Sequence, residues 1–277
     1  MVRSAHPTIM EIITLLQMFS IYLGIGITAG ILAGLLGIGG GLVVVPALSF
    51  IFIAQGFAPS LAMHLAAGTS LASICVTSLA SVKTHHKYEA VLWENVKIFT
   101  PGVVIGAMIG AMLSGSLPGD IVRILFSIFV FATAAQLGFG GSPAPERRFP
   151  SPRGATIAGT TIGGISAFLG VGGGSLIVPY LVWCNIPIRQ AVGTSSACGL
   201  PLAVAGTVGF IISGWNVEAL PAYSTGFIYW PAFLGIVLSS TTFAKIGARW
   251  AHRLSMPLLR NIFVVFLCSV GLHLLFR

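Results

Sequence analysis

The chain has 277 residues, 56% hydrophobic and only 7% charged, with a formal net charge of +8 and a mean hydropathy of +0.98. A water-facing surface needs about 25% charged residues, so a soluble domain is excluded and a polytopic membrane protein is indicated. The basic excess lies in short connections between apolar runs rather than in a patch interleaved with polar residues, which argues against a nucleic-acid partner.

Apolar runs fall at about 12–36, 41–54, 61–82, 96–115 and 121–139, and about 20 such residues can cross a hydrocarbon core roughly 30 Å thick. The first run continues for about 25 residues without a small-residue cleavage site, so no cleavable signal peptide is expected. Between the first two runs stands GLLGIGGGLVVVPAL, Gly34–Leu48. Each of its consecutive glycines costs roughly 1 kcal/mol in a helix interior, so the helix is expected to break there. The second run is too short to span the bilayer and reads as a half-helix starting at membrane depth.

A Pro/Gly/Ser/Arg-rich connector, GGSPAPERRFPSPRG (Gly140–Gly154), follows. Five further runs come at about 155–170, 175–184, 190–213, 227–244 and 257–275. The break recurs in FLGVGGGSLIVPYL, Phe168–Leu181, where Gly37 maps onto Gly170, Gly39–Gly41 onto Gly172–Gly174 and Pro46 onto Pro179. HLAAGTSLA (His64–Ala72) matches RQAVGTSSA (Arg189–Ala197), and VRILF (Val122–Phe126) matches LRNIF (Leu259–Phe263). The fourth and ninth segments each begin near a Pro followed by Gly-bearing apolar sequence, PGVVIG and PAFLG. The expected fold is therefore all-α with about ten transmembrane segments: a first five-segment repeat over 1–139, a connector over 140–154 and a second repeat over 155–277.

Lys83, Lys87 and Lys97 flank the 3/4 loop, Arg147, Arg148 and Arg153 lie in the connector, and Arg189 lies at the 7/8 turn. Lys245, Arg249 and Arg253 lie between segments 9 and 10, while the 2/3, 4/5 and 8/9 loops carry no Lys or Arg. Basic loops stay in the cytoplasm, which places the connector inside and both termini outside. An odd number of segments per half then inverts the second repeat relative to the first.

Irregular backbone at membrane depth survives only in protein or around a polar cavity. A helix starting at Gly41, or at Gly174–Ser175, offers free N–H donors and the positive end of its dipole, an anion-binding terminus. The alternative is that the glycines only let two helices cross closely. Gly68-Thr69-Ser70 and Gly193-Thr194-Ser195 supply hydroxyl donors, although such hydroxyls often bond the carbonyl four residues back. The expected binding set is Gly39, Gly40, Gly41, Gly68, Thr69, Ser70, Gly172, Gly173, Gly174, Ser175, Gly193, Thr194 and Ser195. His64 and Arg189, equivalent in the repeat, are candidates for the two mouths or for snorkelling anchors.

Asp120 lies one turn before Arg123 and is expected to pair with it, and His85 and His86 are placed in the 3/4 loop. Trp93, Trp215 and Trp230 fit an interfacial belt. Cys75, Cys184, Cys198 and Cys268 read as small buried hydrophobes with no CxxC spacing. Glu11, Glu89, Glu94, Asp120, Glu146 and Glu218 all fall in loops or at segment ends, so a metal site lacks its usual ligands; no cofactor is expected.

On the doubled glycine motif with its trailing VVVP or IVP and the two GTS motifs, the chain resembles the TauE/SafE family of sulfite and organosulfonate exporters over roughly 15–275. The resemblance implies an inner-membrane transporter of sulfite, sulfoacetate or a related sulfonate, usually outward, with Gly37–Gly41, Pro46, Gly68–Ser70, Gly170–Gly174, Pro179 and Gly193–Ser195 as its motif residues. Leu42 opposite Ser175 departs from symmetry. The expected function is secondary export of a small sulfur-containing anion by alternating access, with the lipid bilayer as surroundings and a homodimer as an open alternative to a monomer. Competing readings are a passive anion channel and an intramembrane hydrolase using Ser70 or Ser195 with His64 or His273.

Overall fold

Four of the helix ends are set by left-handed residues that no periodicity announces. The computed structural model describes residues 9–36, 40–139, 150–251 and 256–276. Among these the chain forms α1 (Ile9–Leu36), α2 (Gly41–Ala54), α3 (Pro59–Lys87), α4 (Trp93–Ser116), α5 (Gly119–Phe139), α6 (Pro152–Phe168), α7 (Gly174–Trp183), α8 (Ile188–Gly214), α9 (Trp230–Ala251) and α10 (Met256–Leu275). A small hairpin, β1 (Ser224–Thr225) and β2 (Ile228–Tyr229), precedes α9, closing with Ser224 opposite Tyr229 and Thr225 opposite Ile228.

The helices follow the ten apolar runs closely. α3, α4, α5 and α8 are long and apolar enough to cross a membrane, and the protein is an all-α membrane protein. At 1.5 Å per residue, α2 with 14 residues and α7 with 10 reach only about 21 and 15 Å, short of a roughly 30 Å core. Both are short helices that follow the glycine motifs, as expected. Pro46 and Pro179 stand inside them and cannot donate to the carbonyls of Leu42 and Ser175.

Both half-helices end alike. Gly56 (φ 83°) and Asn185 (φ 63°) are left-handed. The following amides reach back, Phe57 N–H to Phe52 O (2.9 Å) and Ile186 N–H to Leu181 O (3.0 Å), the bond of a Schellman cap. α3 closes the same way at Glu89 (φ 53°), with Ala90 N–H donating to His85 O at 3.1 Å. This moves His85 and His86 out of the expected loop and into the last turn of α3. The helix continues past the apolar run because only the left-handed residue stops it.

α1 packs most extensively on α9 and α4 on α6, so the first helix of each half lies against the fourth helix of the other. Glycines make these crossings. A Cβ on Gly30 would stand 2.9 Å from Ser240 Cα, and on Gly110 2.9 Å from Gly164 Cα. Backbones this close leave no room for a side chain, the small-residue packing of membrane helices. α3 and α8 pack antiparallel, as Cys75 opposite Thr207 (3.7 Å) and Ser81 opposite Ser196 (3.1 Å) require.

Smaller expectations divide. Arg123 does pair with Asp120, at 3.2 Å, and Trp93, Trp215 and Trp230 are exposed at helix ends. The cysteines are not uniformly buried: Cys75 is half-buried and Cys268 exposed, since an apolar helix also has an outward face. Pro101 lies well inside α4, whereas Pro231 is in the first turn of α9. PAFLG thus opens its helix as expected, whereas PGVVIG lies inside α4, which starts at Trp93. α6 begins at Pro152, slightly inside the expected connector. Gly37, Gly39, Glu146, Arg147, Arg148, Arg253 and connector residues 140–149 lie outside the described residues.

Candidate functional site

The two glycine breaks meet. α6 stops at Gly170 (φ 70°), where Val171 N–H turns back to Ser166 O at 2.8 Å. Gly41, the first residue of α2, lies against that turn: a Cβ on it would stand 2.9 Å from Val171 Cα and 3.0 Å from Gly170 O. Ser70 of α3 donates its hydroxyl to Gly170 O at 2.8 Å. Gly41, Ser70, Gly172, Gly173 and Ser175 are all buried.

Each half-helix begins with the same bonds. Val43 and Val44 N–H donate to Gly40 O at 3.0 and 2.9 Å, and Leu176 and Ile177 N–H donate to Gly173 O at 3.3 and 2.7 Å. The amides of Gly41 and Leu42, and of Gly174 and Ser175, precede the first of these bonds and form the positive ends of the two helix dipoles. Ser175 Oγ donates to Gly172 O at 3.3 Å, while its counterpart Leu42 is fully buried without a hydroxyl.

The glycines divide by what surrounds them. Gly41 is required by packing against backbone. Gly40 has its nearest neighbour at 3.7 Å and Gly172 at 3.4 Å, while Gly173 faces only the side-chain ends of Ile177 and Leu202. At Gly40 and Gly172 a Cβ would meet the described residues only at ordinary contact distance, so packing against them does not demand glycine there.

The GTS motifs do something the sequence did not reveal. Thr69 Oγ1 accepts Tyr229 N–H and Thr194 Oγ1 accepts Leu92 N–H, both at 3.0 Å. Gly68 faces the Phe227 carbonyl and Gly193 the Ala90 carbonyl too closely for any Cβ. These are bonds across the halves, not the local back-bonds that Ser73 and Ser196 make to Thr69 O and Val192 O. Ser195 Oγ is buried and has no hydrogen-bond partner among the described residues. Sequence reasoning missed segments 88–92 and 223–229, which these motifs hold. The available signal was that Trp93 and Trp230 stand in the same register as Val122 and Leu259.

His64 does not reach solvent. Its Nδ1 lies 3.0 Å from Ser60 O and its Nε2 3.0 and 3.1 Å from Ser114 O and Leu117 O, and its ring stacks on Phe227 at 5.0 Å. It ties the start of α3 to the end of α4, which corrects the anchor reading. Arg189 is exposed at the opposite end of α3, over the Tyr88 ring at 5.9 Å. Neither Ser70 nor Ser195 bonds to His64 or His273, whose ring instead meets Phe50 at 5.5 Å. Near His64, a cleft of about 340 Å³ lies between Gly56–Ala58, Leu61, Leu65, Ala219, Pro221 and Ala222.

Residues 22–274 match the family described as Sulfite exporter TauE/SafE. A probable membrane transporter protein of Haemophilus influenzae is 37% identical over 91% of this chain and 96% of its own length. Another, of Methanocaldococcus jannaschii, is 28% identical over 91% and 93% respectively. A third, YunE of Bacillus subtilis, is 26% identical over 94% and 98%.

Proposed function

We propose a function from one premise: the chain belongs to the sulfite exporter TauE/SafE family. In this reading it is a multi-pass carrier of the bacterial inner membrane, built from two inverted five-segment halves. It exports a small sulfur-containing anion, such as sulfite, sulfoacetate or a related organosulfonate, by alternating access. The observation that carries the reading is the meeting of the two glycine breaks in the interior, where Gly41 lies on Val171 and Ser70 binds Gly170. Two half-helices start there, and their leading amides and dipoles favour a negatively charged solute. Ser195, in the second GTS motif, is a buried hydroxyl without a hydrogen-bond partner among the described residues.

The antiparallel packing of α3 and α8, equivalent in sequence, supports the inversion. So does the gathering of loops: His64, Leu117 and Phe227 cluster at one end of α3, and Tyr88 and Arg189 at the other. In a background lacking the four native cysteines, Ser116→Cys should react with an impermeant thiol reagent added outside intact cells, and Ser151→Cys only after permeabilisation. The reverse pattern would overturn the orientation.

The transport test uses proteoliposomes loaded with labelled sulfite. Unlabelled sulfite or sulfoacetate outside should accelerate exit of the label; unchanged exit would favour a passive pore. Glu89, Glu94, Asp120 and Glu218 sit at turns or helix ends, so no carboxylate among them carries a proton through the interior. An inside-negative potential, worth about 2.3 kcal/mol per charge per 100 mV, should therefore drive anion exit without a pH gradient. Flux that needs a pH gradient, ignores potential and survives His64→Gln would refute this coupling.

A further inference from the structure

We infer that Gly68-Thr69 and Gly193-Thr194 are the two latches of the transport route, each closing one end by gripping the chain just before a helix of the opposite half. The inference deepens the carrier reading and rests on it. Its evidence is a set of contacts that occurs twice. Thr69 Oγ1 holds the Tyr229 amide, immediately before α9, and Thr194 Oγ1 holds the Leu92 amide, immediately before α4. In each case the glycine before the threonine receives a carbonyl two residues upstream of the gripped amide, Phe227 under Gly68 and Ala90 under Gly193. In each case the residue before that carbonyl is left-handed, Gly226 and Glu89 both at φ 53°.

Each gripped segment is capped at its end of the molecule by a basic side chain on an aromatic ring. His64 stacks on Phe227 beside the first latch, and Arg189 lies over Tyr88 beside the second. His64 and Arg189 are themselves equivalent in the repeat. The latches lie at different levels: Gly68 is near the start of α3, whereas Ser196, two residues beyond Thr194, meets Ser81. That is on the order of 20 Å along the helix at 1.5 Å per residue. The second glycine break starts level with the first latch, where Gly170 packs on Ala67, and runs toward the second, with Gly172 on Ile74.

Thr69 and Thr194 are buried, and this structure has both latches shut. Each is one neutral hydrogen bond beside a close backbone contact, an interaction of modest net strength. Either can therefore release while the other holds, which is what alternating access requires. A GTS motif thus touches both parts of the machine: Thr69 grips a gate while the adjacent Ser70 binds the glycine turn.

The test reads sidedness rather than activity. In a background lacking native cysteines, Ser195→Cys serves as the reporter in right-side-out and inside-out vesicles treated with an impermeant thiol reagent. Thr69→Val should speed labelling at least fivefold from the His64–Phe227 end only, and Thr194→Val from the Tyr88–Arg189 end only. Thr69→Ser and Thr194→Ser keep the acceptor and should label like the parent. Thr69→Ala and Thr194→Ala, expected to open the same sides, replace a valine variant that does not accumulate. Labelling accelerated from one side by both variants, or by neither, overturns the latches. Counterflow on wild-type protein is read separately: its absence together with side-specific opening rejects the carrier reading and keeps the latches, and its presence without such opening does the opposite.

Discussion

Gly40→Leu and Gly173→Leu should each abolish transport while leaving folded protein in the membrane. A Cβ on Gly40 would meet its nearest described neighbour at ordinary contact distance, 3.7 Å, and one on Gly173 would require only the flexible end of Ile177 to shift. Neither position sets backbone against the new side chain, but a leucine there covers the amides at the start of α2 or α7. A hydrogen bond to a charged group contributes about 1.5–3 kcal/mol, so losing two weakens anion binding about a hundredfold or more. Sulfite-induced thermal stabilisation and flux in proteoliposomes measure the loss, with size-exclusion chromatography reporting the fold. Gly41→Leu provides the contrast, since its side chain would meet Val171 backbone and should prevent folding. Normal flux in a stable Gly40→Leu protein would mean that the glycines serve packing alone.

Gly106→Leu should have an even larger effect on the protein itself. Gly106 faces the Thr160 carbonyl and the Gly164 amide of α6 with no space for a Cβ, and Gly102, Gly110, Gly159 and Gly163 line the same crossing. Overfilling a packed interior costs about 1–3 kcal/mol when side chains can shift. Here the obstacle is backbone, so α4 and α6 must separate. No monodisperse protein should be recovered in detergent, whereas Gly24→Leu, with nothing within 4 Å, should be recovered normally. Recovery of stable Gly106→Leu protein would show that this crossing is not needed for the fold.

Much of this architecture is legible in the sequence, because breaks in apolar runs are local. Gly40–Gly41, Gly172–Gly174 and the short Pro-bearing helices after them all stand where the residues placed them. What is not legible is which helix faces which. Most helices here are apolar on nearly every side, so period carries no facing information, and nothing in the sequence pairs α1 with α9 or α4 with α6. The role of Thr69 and Thr194 was hidden for a related reason. A threonine on an apolar helix looks like a donor awaiting a ligand until the amide it accepts, more than 100 positions away, is in place. PGVVIG misplaced the start of α4 because a proline inside a membrane helix reads like a helix opening, whereas the helix begins at Trp93.

The exchange of first and fourth helices between halves bears on how the protein is made. α1 emerges from the ribosome about 200 residues before α9, the helix its glycines fit. At roughly 5–20 residues per second, α1 waits some 10–40 s in the bilayer with Gly26 and Gly30 facing lipid or an insertion factor. α6, by contrast, meets an α4 already made. Assembly is thus ordered in time although the finished contacts are matched, and the amino-terminal half reaches its resting arrangement only when the carboxy-terminal half has been synthesised.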